Sequence, residues 1–255
     1  MSNFVENFTL MAPLFSIITI TYNAESVIRP TLESVKCQSF TDFEHIIIDG
    51  ASKDATVAVA EGCGVTDIKI FSEPDNGLYD AMNKGIRLAA GKYLIFLNAG
   101  DAFHDKDTLA KIADRAKSDP DIIYGQTQLV NANREFVAMR HLTAPKNLTF
   151  DSFKHGMLVC HQAFIAKRDI VEEYDVQYRF SADYEWCLRC LKKMKASAFI
   201  NEVLIDYLTD GLTDKNHKAS LKERYHIMCK YYGAMPTALR HIGFLFRHLF
   251  RKLFL

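Results

Sequence analysis

The first 130 residues alternate between two kinds of segment, and this alternation restricts the fold more than any other feature. Short, continuous apolar runs occupy residues 15–20, 43–48, 68–71 and 93–97. Segments with apolar residues at helical spacing lie between them, at 24–36, 54–61 and 78–90. Continuous apolar strands separated by helices are typical of a parallel sheet that is covered on both faces. We therefore predict an α/β, Rossmann-like, mostly parallel sheet flanked by helices.

The pattern changes after Pro120. Residues 122–130 and 135–141 are predicted to form two strands joined by a polar turn at 131–133, followed by a strand at 158–166. A helix at 182–193, a strand region at 198–207 and a helix at 217–232 complete this mixed part. Because no Gly/Ser-rich linker separates the parts, we expect one domain over residues 1–235, with halves at about 14–130 and 131–235, and a tail at 236–255.

Polar clusters follow three of the predicted strands. They are Thr21-Tyr22-Asn23, Asp49-Gly50-Ala51-Ser52 and Asn98-Ala99-Gly100-Asp101. Parallel sheets place their ligands in the crevice beyond the carboxyl ends of the strands. A Mg²⁺ ion is typically held by one or two carboxylates together with substrate phosphates, so Asp101 alone could provide a metal–diphosphate site. The alternatives are ordinary turn or capping roles for Asp101 and Asp49.

Several classes of function are excluded by composition and motif. The 31 basic residues equal the 31 acidic ones, so nothing predicts a nucleic-acid surface. Gly62-Cys63-Gly64 lacks a third glycine and follows a helix, and Gly85 with Gly91-Lys92 has the wrong spacing for a phosphate loop. Cys187 and Cys190 form a C-x-x-C on a helix; without a second ligand pair, core thiols are the better interpretation than zinc.

The ordered set of sequence segments indicates a family more specifically than any single motif does. FSIITITYNAE, QSFTDFEHIIIDGASKDAT, SEPDNGLYDAMNKGI and GKYLIFLNAGD follow one another between Phe15 and Asp101. CHQAFIAKR and YRFSADYEWCLR follow at Cys160–Arg168 and Tyr178–Arg189. In these segments the chain closely resembles family 2 glycosyltransferases of the GT-A fold, in particular those that assemble bacterial polysaccharides.

The resemblance implies an inverting transfer of a sugar from a nucleotide-diphosphate sugar to the hydroxyl of a glycan or lipid-linked glycan. It implies a nucleotide-binding first half and an acceptor-binding second half. Thr21, Asn23 and Asp49 would line the nucleotide pocket, with Asn98 in the adjoining cluster. Asp101 would hold Mg²⁺ or Mn²⁺, and Asp183 would be the catalytic base.

One departure from the family pattern leaves an alternative open. Asn98, Ala99 and Gly100 replace the acidic residues that usually precede the last Asp of the metal motif. A non-catalytic homologue that binds nucleotide sugars or glycans would fit a metal motif with a single acidic residue. A sugar nucleotidyltransferase is a further class, but it would need a Gly-rich basic loop after the first strand.

Other candidate residues have structural alternatives. Asp183 opens a predicted helix, where plain N-terminal capping is the rival role, and Glu185 is the reserve base. Asp80 is spaced to pair with Lys84 on a helix surface, or it contacts the donor sugar or phosphate. His161 and Gln162, predicted inside a strand, are candidates for acceptor binding; a hydrogen-bonded core role is the alternative.

The tail is the main signal for a partner. On a helix, one face would carry Ile242, Leu245, Phe246, Leu249, Phe250 and Leu253, and the other Arg240, Arg247, His248 and Arg251. A basic amphipathic helix of this kind is typical of an anionic membrane interface; docking on the protein itself or on an oligomer partner is the alternative. Because the first basic residue is Arg29, a signal peptide is not predicted. We expect a cytoplasmic protein, with peripheral attachment to the inner face of the cell membrane as a hypothesis.

Overall fold

The computed structural model describes residues 12–209 and 217–243. Nine strands form one sheet in the order β3-β2-β1-β4-β8-β6-β9-β5, with β7 paired to β6. The strands are β1 (Phe15–Thr21), β2 (Phe43–Asp49), β3 (Ile68–Ser72), β4 (Tyr93–Phe96), β5 (Ala102–Phe103), β6 (Ile122–Val130), β7 (Phe136–Met139), β8 (Phe164–Lys167) and β9 (Ser197–Leu208). The helices are α1 (Ile28–Lys36), α2 (Thr56–Glu61), α3 (Leu78–Leu88), α4 (Thr108–Ala116), α5 (Ala182–Lys193) and α6 (His217–Tyr232).

The first four strands form the predicted parallel arrangement. β1 lies between β2 and β4, β3 borders β2, and all of these pairs are parallel. Every residue of β1 is buried, as expected for a strand covered on both faces. α3 packs closely on this layer, because a Cβ added to Gly85 would lie 2.5 Å from Cγ2 of Ile18. The carboxyl ends of β1 and β2 therefore lie side by side, at Thr21 and Asp49.

The second half is mixed, as predicted. β8 runs antiparallel to both β4 and β6, whereas β6 and β9 are parallel. The two-residue strand β5, which the sequence did not indicate, pairs with β9. This pairing brings the segment directly after Asp101 against the end of β9, so the two halves share one continuous sheet.

The predicted strand at residues 158–166 is wrong over most of its length. His161–Ala163 form a 3₁₀ turn, in which Ala163 N donates to Cys160 O at 3.0 Å, and only Phe164–Lys167 extend as a strand. Two further 3₁₀ helices lie at Phe150–His155 and Arg168–Ile170. His161 and Gln162 thus sit on a tight turn, and both side chains are buried.

An aromatic cluster joins the two halves at the centre of the core. Trp186 of α5 is fully buried and stacks on Tyr174, with ring centroids 5.2 Å apart. Phe96 at the end of β4 meets Trp186 edge to face at 5.8 Å, and the ring of His161 completes the cluster. Trp186 is therefore a core residue, and its indole N–H donates to the carbonyl of Glu172.

The described chain ends in a second C-terminal helix over residues 234–243. It exposes Met235, Leu239 and Ile242, which recur at helical spacing. The remainder of the predicted amphipathic tail, including Leu245, Phe246, Leu249, Phe250 and Leu253, lies outside the described residues. Within the described ranges, no helix is both long and apolar enough to cross a membrane.

Candidate active site

Asp49, at the end of β2, is the centre of a dense hydrogen-bond network. Its Oδ1 accepts from the hydroxyls of Thr21 and Ser52, and its Oδ2 accepts from the Ser52 amide and the Ser72 hydroxyl. Burial raises the pKa of Asp49, but these hydrogen bonds outweigh it and hold the pKa below its ordinary value. The carboxylate stays ionised and ties the ends of β1, β2 and β3 together.

Asn23 belongs to the same network. Its side-chain oxygen accepts from the backbone N–H of Lys53 at 2.9 Å, and its backbone N–H donates to the Ser52 hydroxyl at 2.8 Å. Asn23 and Ala51 both adopt a positive φ, of 48° and 59°. Such left-handed conformations in non-glycine residues are rare and cluster at ligand sites. The structure therefore brings together Thr21, Asn23 and Asp49, the three residues expected in the nucleotide pocket.

Asp101 follows β4 and lies in a different environment. It is 5% exposed, and its two oxygens accept from the Gln162 side-chain amide at 2.7 Å and the Leu208 backbone amide at 3.0 Å. Burial raises the pKa of Asp101 to about 7, although these bonds and the guanidinium of Arg134 act in the opposite direction. Arg134 pairs with Asp206, so among the described residues no Lys or Arg forms an ion pair with Asp101.

Asn98 and Asp101 are both compatible with a hard cation. The Asn98 Oδ1 atom is buried and has no hydrogen-bond partner in the described structure, and the Asp101 amide donates to the Asn98 carbonyl. Carboxylate and amide oxygens are the ligands that Mg²⁺ and Mn²⁺ prefer. Residues 12–209 and 217–243 contain no cluster of three or more His, Cys, Asp or Glu able to hold a metal. Asp101 and Asn98 could thus supply two of the oxygen ligands of a cation.

Asp183 lies on the first turn of α5 and is half-buried. Its Oδ1 accepts from the Tyr184 amide at 2.8 Å and from the phenol of Tyr79 at 3.3 Å. Its Oδ2 has no hydrogen-bond partner among the described residues. Asp183 is thus held in place through one oxygen, and the other is available for a substrate hydroxyl.

Tyr79 links Asp183 to a large cavity of about 830 Å³. The cavity lies between the start of α3 and the loop that leads into α5. Its walls are formed by Tyr22, Asn76, Gly77, Leu78, Tyr79, Asp80, Val176, Gln177, Tyr178, Arg179, Phe180 and Ser220. This volume is in the range of small-molecule sites.

A chain of side-chain contacts joins Asp101 to Asp183. Tyr79, which contacts Asp183, stacks on Tyr174 at 5.6 Å, and the Tyr174 hydroxyl lies 2.5 Å from Nε2 of His161. Gln162, the next residue, donates to Asp101. The two acids that the sequence places 82 positions apart are therefore joined through neighbouring side chains.

Asp80 does not form the predicted surface pair with Lys84. Its Oδ2 accepts from the backbone and side-chain nitrogens of Asn76, so it closes the turn before α3. Lys84 instead pairs with Glu73 at 2.8 Å and donates to the carbonyl of Pro74. Asp80 nevertheless lines the cavity.

Glu223 of α6 fixes the loop that precedes Asp183. Its carboxylate accepts from three consecutive backbone amides, those of Arg179, Phe180 and Ser181, at 2.8 to 3.0 Å. We call these four residues the Glu223 clamp. Because Arg179 and Phe180 line the cavity, the clamp sets one cavity wall and the start of α5 together.

The two acceptor candidates occupy different surroundings. Gln162 supports Asp101, whereas His161 is 4% exposed and packs among Phe96, Tyr174 and Trp186. Burial lowers the pKa of His161 to about 4, so the imidazole is neutral. This geometry favours the core role for His161. Glu185, the reserve base, is buried, and both of its carboxylate oxygens accept hydrogen bonds, from Arg189 and Tyr231.

Four cavity or site residues were not singled out from the sequence: Tyr22, Tyr79, Arg179 and Glu223. Tyr22 lies inside a polar cluster after β1, so its position was a usable signal. Tyr79 directly precedes the candidate Asp80, and Arg179 lies four positions before Asp183, but no sequence pattern marks either residue. Nothing in the sequence connects Glu223 with residues 42 to 44 positions earlier.

Comparison with known proteins identifies the family of this chain. The family described as "Glycosyl transferase family 2" matches residues 16–175. The chain belongs to this family. A PGL/p-HBAD biosynthesis glycosyltransferase of Mycobacterium bovis (strain BCG / Pasteur 1173P2) is 34% identical over 221 residues, which cover 81% of this chain and 83% of that protein. A putative teichuronic acid biosynthesis glycosyltransferase, TuaG of Bacillus subtilis (strain 168), is 28% identical over 85% of this chain and 91% of its own length.

Solved structures support the GT-A fold for this family 2 chain. TarS residues 1–349 of S. aureus, in complex with UDP-GlcNAc, superposes with a TM-score of 0.68 at 19% identity, over 84% of this chain and 64% of that one. The mannosyltransferase PcManGT of Pyrobaculum calidifontis, in complex with GDP-Man and Mn²⁺, gives a TM-score of 0.62 at 16% identity, over 86% and 65%. At these identities the likeness concerns the fold.

Proposed function

We propose that this protein is an inverting glycosyltransferase that moves a sugar from a nucleotide-diphosphate sugar to an acceptor hydroxyl in the assembly of a bacterial cell-surface glycan. The observation that carries the proposal is Asp183. One oxygen is held by Tyr79, a wall residue of the cavity, and the other has no partner in the described structure. The glycan-assembly enzymes among the relatives support the substrate class.

The reaction follows from the roles of the residues. The Asp183 carboxylate accepts the proton of the acceptor hydroxyl while the oxygen attacks the anomeric carbon of the sugar. The bond between this carbon and the donor diphosphate breaks as the new bond forms on the opposite face, which inverts the configuration. The scheme needs no covalent nucleophile, and the proton that leaves the acceptor ends on Asp183.

Asp101 and Asn98 are the residues that would hold a divalent cation in this scheme. Their oxygens match Mg²⁺ or Mn²⁺ in kind, and the complex of PcManGT with GDP-Man and Mn²⁺ supports the choice. A bound cation would neutralise the charge that grows on the departing diphosphate. Gln162 and the Leu208 amide hold the Asp101 carboxylate in position for this role.

A second part of the proposal concerns the acceptor. The exposed stripe of Met235, Leu239 and Ile242 continues toward the basic, apolar tail, which fits a membrane surface that carries a lipid-linked acceptor. Co-sedimentation with anionic vesicles should be seen for the full chain and be lost when residues 236–255 are removed. Equal, negligible binding of both proteins would contradict this part of the proposal.

The catalytic proposal is tested with Asp183→Asn. Asn preserves the size of the side chain but cannot take up the proton, so transfer should fall by roughly 10²- to 10⁴-fold. Donor binding, measured by calorimetry, should stay unchanged. Asp175→Asn, on the same connecting segment, is the matched control and should keep full turnover. A wild-type protein that binds donor but never turns it over would identify a non-catalytic binding homologue instead.

A further inference from the structure

The loop that follows β4 ends in Asp101, the residue proposed to hold the cation. We call residues 98–101 the metal loop. Thr31 of α1 holds its backbone, because the Thr31 hydroxyl accepts from the Gly100 amide at 2.9 Å and donates to the Asp101 carbonyl at 2.7 Å. Gly100 is buried, so its own carbonyl needs a separate hydrogen-bond partner.

Arg134, in the turn between β6 and β7, supplies that partner. Its Nη1 donates to the Gly100 carbonyl at 2.7 Å, across 34 positions of the chain. Arg134 has a φ of 66°, a left-handed conformation that residues other than glycine rarely adopt. Glycine would take this conformation without strain, so the backbone of the turn does not call for an arginine. The residue type is explained instead by the side chain, which reaches the metal loop.

Asp206 of β9 fixes the guanidinium of Arg134 from another side. Its Oδ2 lies 3.8 Å from Nη2 of Arg134, and its Oδ1 accepts from the Gln128 side-chain amide at 2.9 Å. Nδ1 of His104 lies 2.8 Å from the same Oδ1 atom. Because His104 follows Asp101 by three positions, these contacts fix the chain after Asp101 as well as before it.

We propose that Arg134 is a positioning residue for the metal, which fixes the metal loop so that Asn98 and Asp101 present their oxygens to one cation. This assignment rests on the proposed function and adds a residue that acts through the loop. Partners that orient metal ligands typically contribute roughly 10- to 100-fold to metal affinity. Since Asp101 is the only acid of the metal loop, charge alone attracts a cation weakly, and the placement of the neutral Asn98 oxygen matters more.

The positive charge of Arg134 acts on a cation in the opposite sense. A guanidinium near the metal loop repels a divalent cation, so its removal would by itself tighten metal binding. The Gly100 carbonyl and the Asp206 carboxylate both contact the guanidinium, which reduces this repulsion. Positioning and repulsion therefore predict opposite signs for a variant that lacks the Arg134 side chain.

Arg134→Gly separates the two effects. Glycine suits a φ of 66°, so the turn should form, but the guanidinium is lost. Calorimetric titration with UDP and with GDP, each in Mn²⁺ and in EDTA, gives the factor by which the metal tightens nucleotide binding. This factor should fall roughly tenfold in Arg134→Gly, whereas the affinity in EDTA should stay within about twofold of wild type. A merely structural defect would weaken both affinities alike.

Two further variants support the measurement. Asn133→Gly is the matched control, because it introduces glycine at the exposed neighbouring position of the same turn and keeps the guanidinium. Its metal factor should equal that of the wild type. Asp206→Asn removes the charge that faces Arg134 but keeps an oxygen for Gln128, so it should lower the metal factor in the same direction, by less than Arg134→Gly does.

The outcomes distinguish this assignment from the proposed function. A metal factor in Arg134→Gly that is unchanged or larger than that of the wild type would overturn the assignment and leave the proposed function standing. A wild-type protein whose nucleotide affinity does not respond to Mn²⁺ would refute the proposed metal site, and the role of Arg134 with it.

Discussion

The two halves of the molecule hold their site residues in different ways. In the parallel half, every hydrogen bond to Asp49 comes from a residue at most 28 positions away along the chain. Where the two halves meet, Asp101 is held by mixed-half residues 61 and 107 positions away, and Asp183 of the mixed half is held by Tyr79 at a distance of 104 positions. The nucleotide side of the site is therefore built by local structure, and the catalytic side depends on the assembled core.

The largest effect is expected from the core that connects the halves. Trp186→Ala would leave a cavity among Phe96, Tyr174 and His161 and should lower the free energy of unfolding by about 3–5 kcal/mol. Urea denaturation measures this change. Phe136→Ala, at a residue 60% exposed, should change the same quantity by less than about 0.5 kcal/mol. If Trp186→Ala were as stable as wild type, the catalytic side would not depend on this core.

Asp49→Asn tests the local network. Both oxygens of Asp49 accept hydrogen bonds, so the side-chain nitrogen of the asparagine would face groups that are themselves donors. We therefore expect the free energy of unfolding to fall by about 1–3 kcal/mol and nucleotide binding to weaken. Thermal melting and calorimetry measure the two effects. The exposed Asp42, on the segment before β2, supplies the control Asp42→Asn, which should be neutral. An Asp49→Asn protein with wild-type stability would show that the strand ends are held by other contacts.

Acid should weaken the fold through two buried histidines. Burial lowers the pKa of His45 to about 3 and that of His161 to about 4, so between these values and about 6.5 the unfolded chain binds more protons than the native one. Stability should therefore fall as pH drops below 6.5, by about 1 kcal/mol per histidine for the first unit. Urea titrations at pH 7.0 and 5.5 measure this fall in the free energy of unfolding. The fall should be smaller for His45→Gln than for the wild type. For the control His155→Gln, at an exposed position, it should equal that of the wild type. An equal fall in the wild type and in His45→Gln would show that His45 does not contribute to the loss of stability in acid.

The smallest effect concerns how Asp183 is positioned. Tyr79→Phe removes the phenol that donates to Asp183 at 3.3 Å but keeps the ring that stacks on Tyr174. At about 1 kcal/mol for such a bond, kcat should fall roughly fivefold while the Kd of the donor stays the same. Loss of donor affinity without a change in kcat would place Tyr79 on the nucleotide side of the site.

The contrast between the halves also explains what the sequence could predict. The polar clusters that contain Thr21, Asn23 and Asp49 could be located because each follows an apolar strand, a signal contained in a few neighbouring residues. Their expected role in a nucleotide pocket came from the family resemblance. The link from Gln162 to Asp101 has no such signal, because it depends on a 3₁₀ turn that apolar composition does not distinguish from a strand. The Asp80–Lys84 pair was wrong for a related reason: helical spacing permits the pair, but a turn residue and Glu73 compete for the same groups.

The Glu223 clamp has a consequence for control of the reaction. α6 carries Glu223 near its beginning and leads, after Gly233 alone, into the helix with the exposed Met235, Leu239 and Ile242. A displacement of that helix by whatever it binds would be transmitted along α6 to the three amides that Glu223 holds, and so to the wall of the cavity. Binding of that helix to a partner and turnover at the cavity would then be coupled through Glu223.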